Sequence, residues 1–143
     1  AWHSEAAALA TVLLATEDEA RRLSNEADPV NSARVLLARG SQLAIIKRGM
    51  AGCFLLTADD LHIAPGLPVV AKDATGAGDS LAAAIIYGYL HRFDLQALGD
   101  LGNATGAAKV LKLGTGHNMP TVAEVNEMLR RFGSDVAITL PQK

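Results

Sequence analysis

The sequence predicts an α/β fold in which a layered sheet is covered by helices. Short aliphatic runs at 11–15, 43–46 and 53–56 are long enough for strands and too short for helices. Capping signals and glycine stops separate these runs with helical stretches. From about residue 78 onward the chain reads as successive helices.

Each element has its own signal. Ser4 to Leu9 is alanine-rich and reads as the end of a helix, and Thr11–Ala15 as a buried strand. Thr16 and Glu19 have capping-box spacing and open a helix through about Leu23. Asp28-Pro29 starts another, with proline in its first turn; Val35, Leu36 and Leu37 give it an apolar face and Gly40 ends it. Leu43–Ile46 and Cys53–Leu56 are strands, the first closed by Lys47-Arg48-Gly49, and Leu61–Ile63 a short partner beyond the Asp59-Asp60 turn. Pro65-Gly66-Leu67-Pro68 is a loop, and Val69-Val70 a brief extended piece. Helices are expected over about 78–90, 95–111 and 122–132, the last opened by Thr121 and Glu124, with a final strand over 136–140. Leu81–Leu90 is apolar almost all round and should be buried, with Tyr87 and Tyr89 as packing residues.

At 143 residues the chain fits one domain, residues 1–143, that can bury a core. A net charge of −2 gives no reason to expect a nucleic-acid or membrane partner. The pairs Arg21-Arg22 and Arg130-Arg131 are isolated and read as solvated helix faces. One cysteine, Cys53, excludes an internal disulfide and reads as a small core residue. No apolar run reaches spanning length and no signal peptide is visible, so a cytoplasmic setting is the default. The four histidines, His3, His62, His91 and His117, lack metal-ligand spacing.

The chemistry concentrates in Lys72-Asp73-Ala74-Thr75-Gly76-Ala77-Gly78-Asp79-Ser80. Glycines let a backbone turn tightly and approach a ligand, and amides at a helix start attract phosphate. An acid at such a site suggests a base that takes a proton beside the phosphate. The stretch is not a Walker loop, since no Gly-Lys-Ser/Thr follows. Nor is it the dinucleotide fingerprint, because Leu81 stands where the third glycine should be.

The motif D-x-x-G-A-G-D, present as Asp73 to Asp79, closely resembles the C-terminal signature of the ribokinase-like carbohydrate kinases, the PfkB family. Further matches follow the family's order. Lys47-Arg48-Gly49-Met50-Ala51-Gly52 is similar to its G-x-x-G turn beside the nucleotide, and Asn103 to its asparagine near the adenine. Residues 114–120 resemble the loop that closes the site. Thr16 to Glu19 resembles its N-x-x-E motif, with threonine in place of asparagine, which changes reach and donor pattern.

The resemblance spans about Thr11 to Phe132 but only the back half of the family. It therefore implies a ribokinase-like α/β/α sheet, C-terminal nucleotide-binding portion only, with the lid absent. No counterpart of the family's Gly-Gly sugar motif or of its lid strands is found. The implied function is ATP-dependent transfer of the γ-phosphate to a hydroxyl of a sugar or sugar acid, in a chain inactive by itself. The alternatives are a nucleoside or other small-alcohol kinase, or an incompetent nucleotide-binding fragment. The implied partner is a small-molecule sugar, and pairing through the lid implies a homodimer for a full-length protein.

By that resemblance Asp79 is the general base, and Gly76, Ala77 and Gly78 supply amides to the transferred phosphoryl; a plain glycine turn with a dipole-complementing Asp is the competing reading. Thr16, Lys47, Gly49, Gly52, Thr75 and Asn103 are implied nucleotide contacts, with Lys47 and Arg48 equally readable as exposed strand-end charges. Glu19 is either a capping acid, an organiser of Mg²⁺, or both. Asp73 either caps the turn or is the carboxylate of a K⁺ site completed by the Thr75 carbonyl and groups around Lys109, Lys112, Gly114 and Asn118.

Overall fold

In the computed structural model the chain divides into two compact units, one up to Gly66 and one from Leu67. The structure describes residues 2–139, with side chains from Glu5 onward. The expectations for the His3 side chain and for Leu140 in a final strand lie outside the described residues.

The first unit runs α1 (Trp2–Leu9), β1 (Val12–Thr16), α2 (Glu17–Ser24), α3 (Pro29–Ala38), β2 (Leu43–Lys47), β3 (Gly52–Leu56) and β4 (Leu61–Pro65). Its four strands form one sheet in the order β1-β2-β3-β4. The β1–β2 pair is parallel, and β2–β3 and β3–β4 are antiparallel. Two helices connect the parallel pair because a parallel crossover cannot be made by a tight turn. Leu13, Ala15, Ala44, Ile46, Phe54 and Leu56 alternate onto one face and pack with Ala20, Ala33 and Leu36 of the helices. Leu43, Ile45, Cys53 and Leu55, on the opposite face, are buried too, as continuous apolar runs require. Burial pushes the Cys53 thiol up to about 12, which suits a core residue and not a nucleophile.

The second unit contains α4 (Ala77–Leu90), α5 (Leu95–Val110) and α6 (Val122–Arg131). Its core joins Ala84 of α4, Leu101, Ala104 and Ala108 of α5, and Val125, Met128 and Leu129 of α6. Gly88 and Gly102 let α4 and α5 approach, since a Cβ at Gly88 would lie 2.7 Å from Leu98 and one at Gly102 3.2 Å from Ile85.

The element types agree with the sequence reading, and most bounds move by one or two residues. Two expectations fail, and one segment carries no regular element. Val69-Val70, expected as a brief extended piece, lies in the segment without regular structure between β4 and α4. Residues 136–139 form no strand; the Asn126 side chain holds the Ile138 backbone at both its N–H and its carbonyl, at 2.8 and 2.9 Å, and so replaces a ladder. Nor is α4 buried all round: Ser80, Leu81, Ala84, Ile85 and Gly88 are buried, while Ile86 and Leu90 are 51% and 72% exposed. Tyr87 is a packing residue, stacked on His91 at 4.0 Å. No strand of the described residues lies outside the one sheet, and no described helix is long and apolar enough to cross a membrane.

Candidate active site

The glycine turn is built by Asp73. Its Oδ1 accepts from the Thr75 amide at 2.9 Å and from the Thr75 hydroxyl at 2.7 Å. Its Oδ2 accepts from the Gly114 amide at 2.7 Å, across forty-one residues of sequence. The backbone amides of Lys72 and Asp73 both bond the Val110 carbonyl at the end of α5, at 2.7 and 3.2 Å. The turn is thus an Asx turn pinned to the segment that follows α5. These bonds, the Thr75 hydroxyl first, hold the Asp73 carboxyl down at about 2.

Gly76 caps α4 at φ +79°, in the left-handed region that glycine adopts without strain. A Cβ there would lie 3.1 Å from Thr115 Cγ2 and 3.5 Å from Lys109 Cε. No side chain caps this helix. The Ala77 amide bonds the Ala74 carbonyl, whereas the amides of Gly78 and Asp79 lie in the first turn, ahead of any intrahelical acceptor. Gly78 and Asp79 are both exposed. The Asp79 side chain therefore stands in solvent at the positive end of α4, beside those amides. Ser80 turns away and bonds the Gly76 carbonyl through both its amide and its hydroxyl, at 3.0 and 2.9 Å.

The segment after α5 is held as tightly as the turn. The Lys112 ammonium pairs with both Glu124 oxygens, at 2.9 and 3.0 Å, and donates to the Met119 carbonyl at 3.2 Å. Glu124 also closes the capping box of α6, and the Thr121 amide first and Lys112 next lower it to about 2. Asn118 donates to the Leu113 carbonyl at 2.9 Å, which fixes the short 3₁₀ turn Gly116–Asn118. Residues 114–120 thus form an ordered loop clipped to Asp73 at one end and to α6 at the other.

In the first unit, Thr16 and Lys47 are register partners at the carboxyl ends of β1 and β2, the end at which ligands bind in open α/β sheets. The capping box is complete: the Thr16 amide donates to Glu19 Oε2 at 2.7 Å and the Glu19 amide to Thr16 Oγ1 at 3.2 Å. The Thr16 amide, more than the nearby Lys47 charge, lowers the Glu19 carboxyl. Arg48 is committed elsewhere: its Nε bonds Glu17 at 2.9 Å and its guanidinium lies over Phe54. Gly49 and Gly52 both have positive φ. Gly52 is also sterically obligatory, because a Cβ would come within 2.1 Å of the Ala64 carbonyl oxygen. A hollow of about 810 Å³ in this unit lies at the opposite end of β2, between Ser41-Gln42 and residues 57–61. It is therefore remote from the ligand-binding end of the strands.

A sequence model of the pfkB family carbohydrate kinases matches residues 2–122. The chain belongs to that family. Among curated relatives of this pfkB chain, the 5-dehydro-2-deoxygluconokinase of Bacillus licheniformis is 30% identical over 121 residues, covering 82% of this chain and 37% of that protein. Two solved structures share the ribokinase-like fold. A ribokinase II candidate from E. coli, solved with ATP and Mg²⁺, is 26% identical with a TM-score of 0.83 over 90% of this chain and 42% of that one. The ribokinase of Thermotoga maritima is 26% identical with a TM-score of 0.79 over 89% of this chain and 44% of that one. The pfkB chain thus spans about two fifths of the length of the proteins it matches.

The structure brings Asp73, Thr75, Gly76, Ala77, Gly78 and Asp79 into one turn, and places Thr16, Glu19 and Lys47 together at two strand ends. Asn103 is not on the surface: it is 9% exposed on α5. The residue the sequence undervalues is Lys109, which is fully buried beside Gly76. Its signal is a lone lysine in the apolar run Ala107-Ala108-Lys109-Val110-Leu111. Among the described residues no three His, Cys, Asp or Glu side chains form a metal cluster.

Proposed function

We propose that residues 1–143 are the C-terminal, nucleotide-binding portion of an ATP-dependent carbohydrate kinase, with Asp79 as general base. One observation carries the reading. Asp79 stands exposed in the first turn of α4, directly after a turn that Asp73 fixes and Gly76 makes possible.

In this reading the acceptor hydroxyl of a sugar or sugar acid lies against Asp79. The carboxylate takes its proton as the oxygen attacks the γ-phosphorus, and the bond from that phosphorus to the bridging oxygen breaks to release ADP. The amides of Gly76 and Gly78 face the charge that accumulates on the transferred group, where fixed dipoles need no reorganisation, whereas the expected Ala77 donor is already bonded to the Ala74 carbonyl. By the family resemblance Thr16, Lys47, Gly49 and Gly52 of the first unit and Thr75 and Asn103 of the second would contact nucleotide, and Glu19 would orient water on Mg²⁺, whose charge would offset that of the phosphates. A cytoplasmic setting and a homodimer formed through lid strands in the full-length protein belong to the same reading. Sugar-binding contacts would come from outside this chain.

The test is Asp79→Asn in the full-length protein. A positioned base contributes about 10²–10⁴-fold, so kcat should fall by that factor while nucleotide affinity holds. Turnover within a fewfold of wild type would remove Asp79 from the mechanism.

A further inference from the structure

We propose that the ammonium of Lys109 is a built-in cation behind the anion turn, taking the place of the monovalent metal ion that Asp73 would otherwise help to bind. The inference deepens the kinase reading and rests on it for its functional meaning, though its physical core does not.

The fit of a K⁺ ion is decided by what already occupies the site. Lys109 lies in the last turn of α5 and is 0% exposed, the largest fully buried side chain described. A buried ammonium is costly unless oxygen atoms and opposite charge surround it. Both are present. Its Nζ donates to the Lys112 carbonyl at 3.4 Å, at the negative end of α5. Its positive charge also acts on the Asp73 carboxylate. Its Cε lies 3.5 Å from where a Cβ at Gly76 would stand, so the stem runs directly beneath the capping residue of α4.

A carboxylate, a carbonyl at a helix end and the underside of the phosphate turn are the surroundings a K⁺ ion would need. A second unit charge placed beside Asp73 would be repelled by the ammonium from its buried side. The residues present therefore do not fit K⁺. A tethered ammonium offers the same charge and three donors, and it does not have to be captured from solution. Asp73 is already bonded by Thr75 and Gly114, and it meets that charge as part of the folded chain.

The experiment compares the full-length protein in KCl and in choline chloride at matched ionic strength, by thermal melting and by Mg·ADP titration. Wild type should melt within about 1 °C in the two salts, a shift worth only a fraction of a kcal/mol. Lys109→Ala should melt lower in choline and recover part of the loss in K⁺. Lys109→Met, which fills the space without charge, should melt lower and show no response to K⁺. A wild-type protein several degrees more stable in K⁺, or anomalous scattering from Tl⁺ beside Asp73 in wild-type crystals, would overturn the inference. So would a Lys109→Ala protein that matches wild type in both salts. If the alanine variant does not fold, the wild-type melting and Tl⁺ measurements still decide. Absence of Mg·ADP binding in every salt would count against the kinase reading alone, because melting and Tl⁺ occupancy judge the cation separately.

Discussion

Replacing Gly76 by alanine tests whether the anion turn is held by backbone geometry. At φ +79° an L residue meets its own carbonyl, a cost of about 1–2 kcal/mol. The new methyl would also stand 3.1 Å from Thr115 Cγ2, closer than ordinary carbon contacts. Thr115 must give by a few tenths of an ångström, and moving its side chain off a staggered rotamer adds roughly 0.5–1 kcal/mol. The sum is about 2 kcal/mol, some thirtyfold in the ratio of folded to unfolded protein. Gly78→Ala is the control: Gly78 has no positive φ, lies in the first turn of α4 and is exposed, so alanine should leave stability unchanged or slightly raised. Equilibrium urea unfolding separates the two through their midpoints. A Gly76→Ala protein within about 0.5 kcal/mol of wild type would refute the argument, because neither the dihedral nor the Thr115 contact would then be constraining.

Two further outcomes follow from the same geometry. The Asp73 carboxyl is lowered from the usual 3.8 to about 2, so its contribution to stability is fully present above the unfolded value and is lost as pH falls towards 2. The melting difference between wild type and Asp73→Asn should thus be constant above about pH 5 and shrink between pH 4 and 2; a difference that grows on acidification would contradict the sign. If the proposed reading holds and acceptor contacts come from outside residues 1–143, these residues expressed alone should show negligible sugar kinase activity, because orienting reactants can account for about 7–11 kcal/mol of barrier lowering. A coupled ADP-release assay with a sugar panel checks this, and robust turnover would disprove it.

Much of this was legible because the signals are local. Capping boxes at Thr16 and Thr121 announce their helices by spacing alone, and both close as expected. The Asp73-to-Asp79 motif is contiguous, so its turn could be read before any fold was known. What stayed hidden depends on distant partners. The family resemblance places Gly114 near Asp73, but the hydrogen bond from its amide joins residues forty-one apart, and no spacing rule predicts it. The burial of Lys109 results from how α5 packs, and propensity is blind to that. The tail around Ile138 has the composition of a strand, but its polar groups find a side chain, Asn126, in place of a neighbouring backbone. The uniform apolar look of α4 hid the exposure of Ile86 and Leu90, because composition does not say which faces find cover.

The mixed direction of the sheet has a consequence for how the first unit assembles. β2, β3 and β4 form a meander joined by tight links, whereas β1 reaches β2 only after residues 17–42 have formed two helices. The longer link adds roughly 2 kcal/mol of ring-closure entropy relative to a tight one. Nucleation therefore favours the meander, with β1 recruited late. The register between Thr16 and Lys47 at its carboxyl end is then expected to form after the meander.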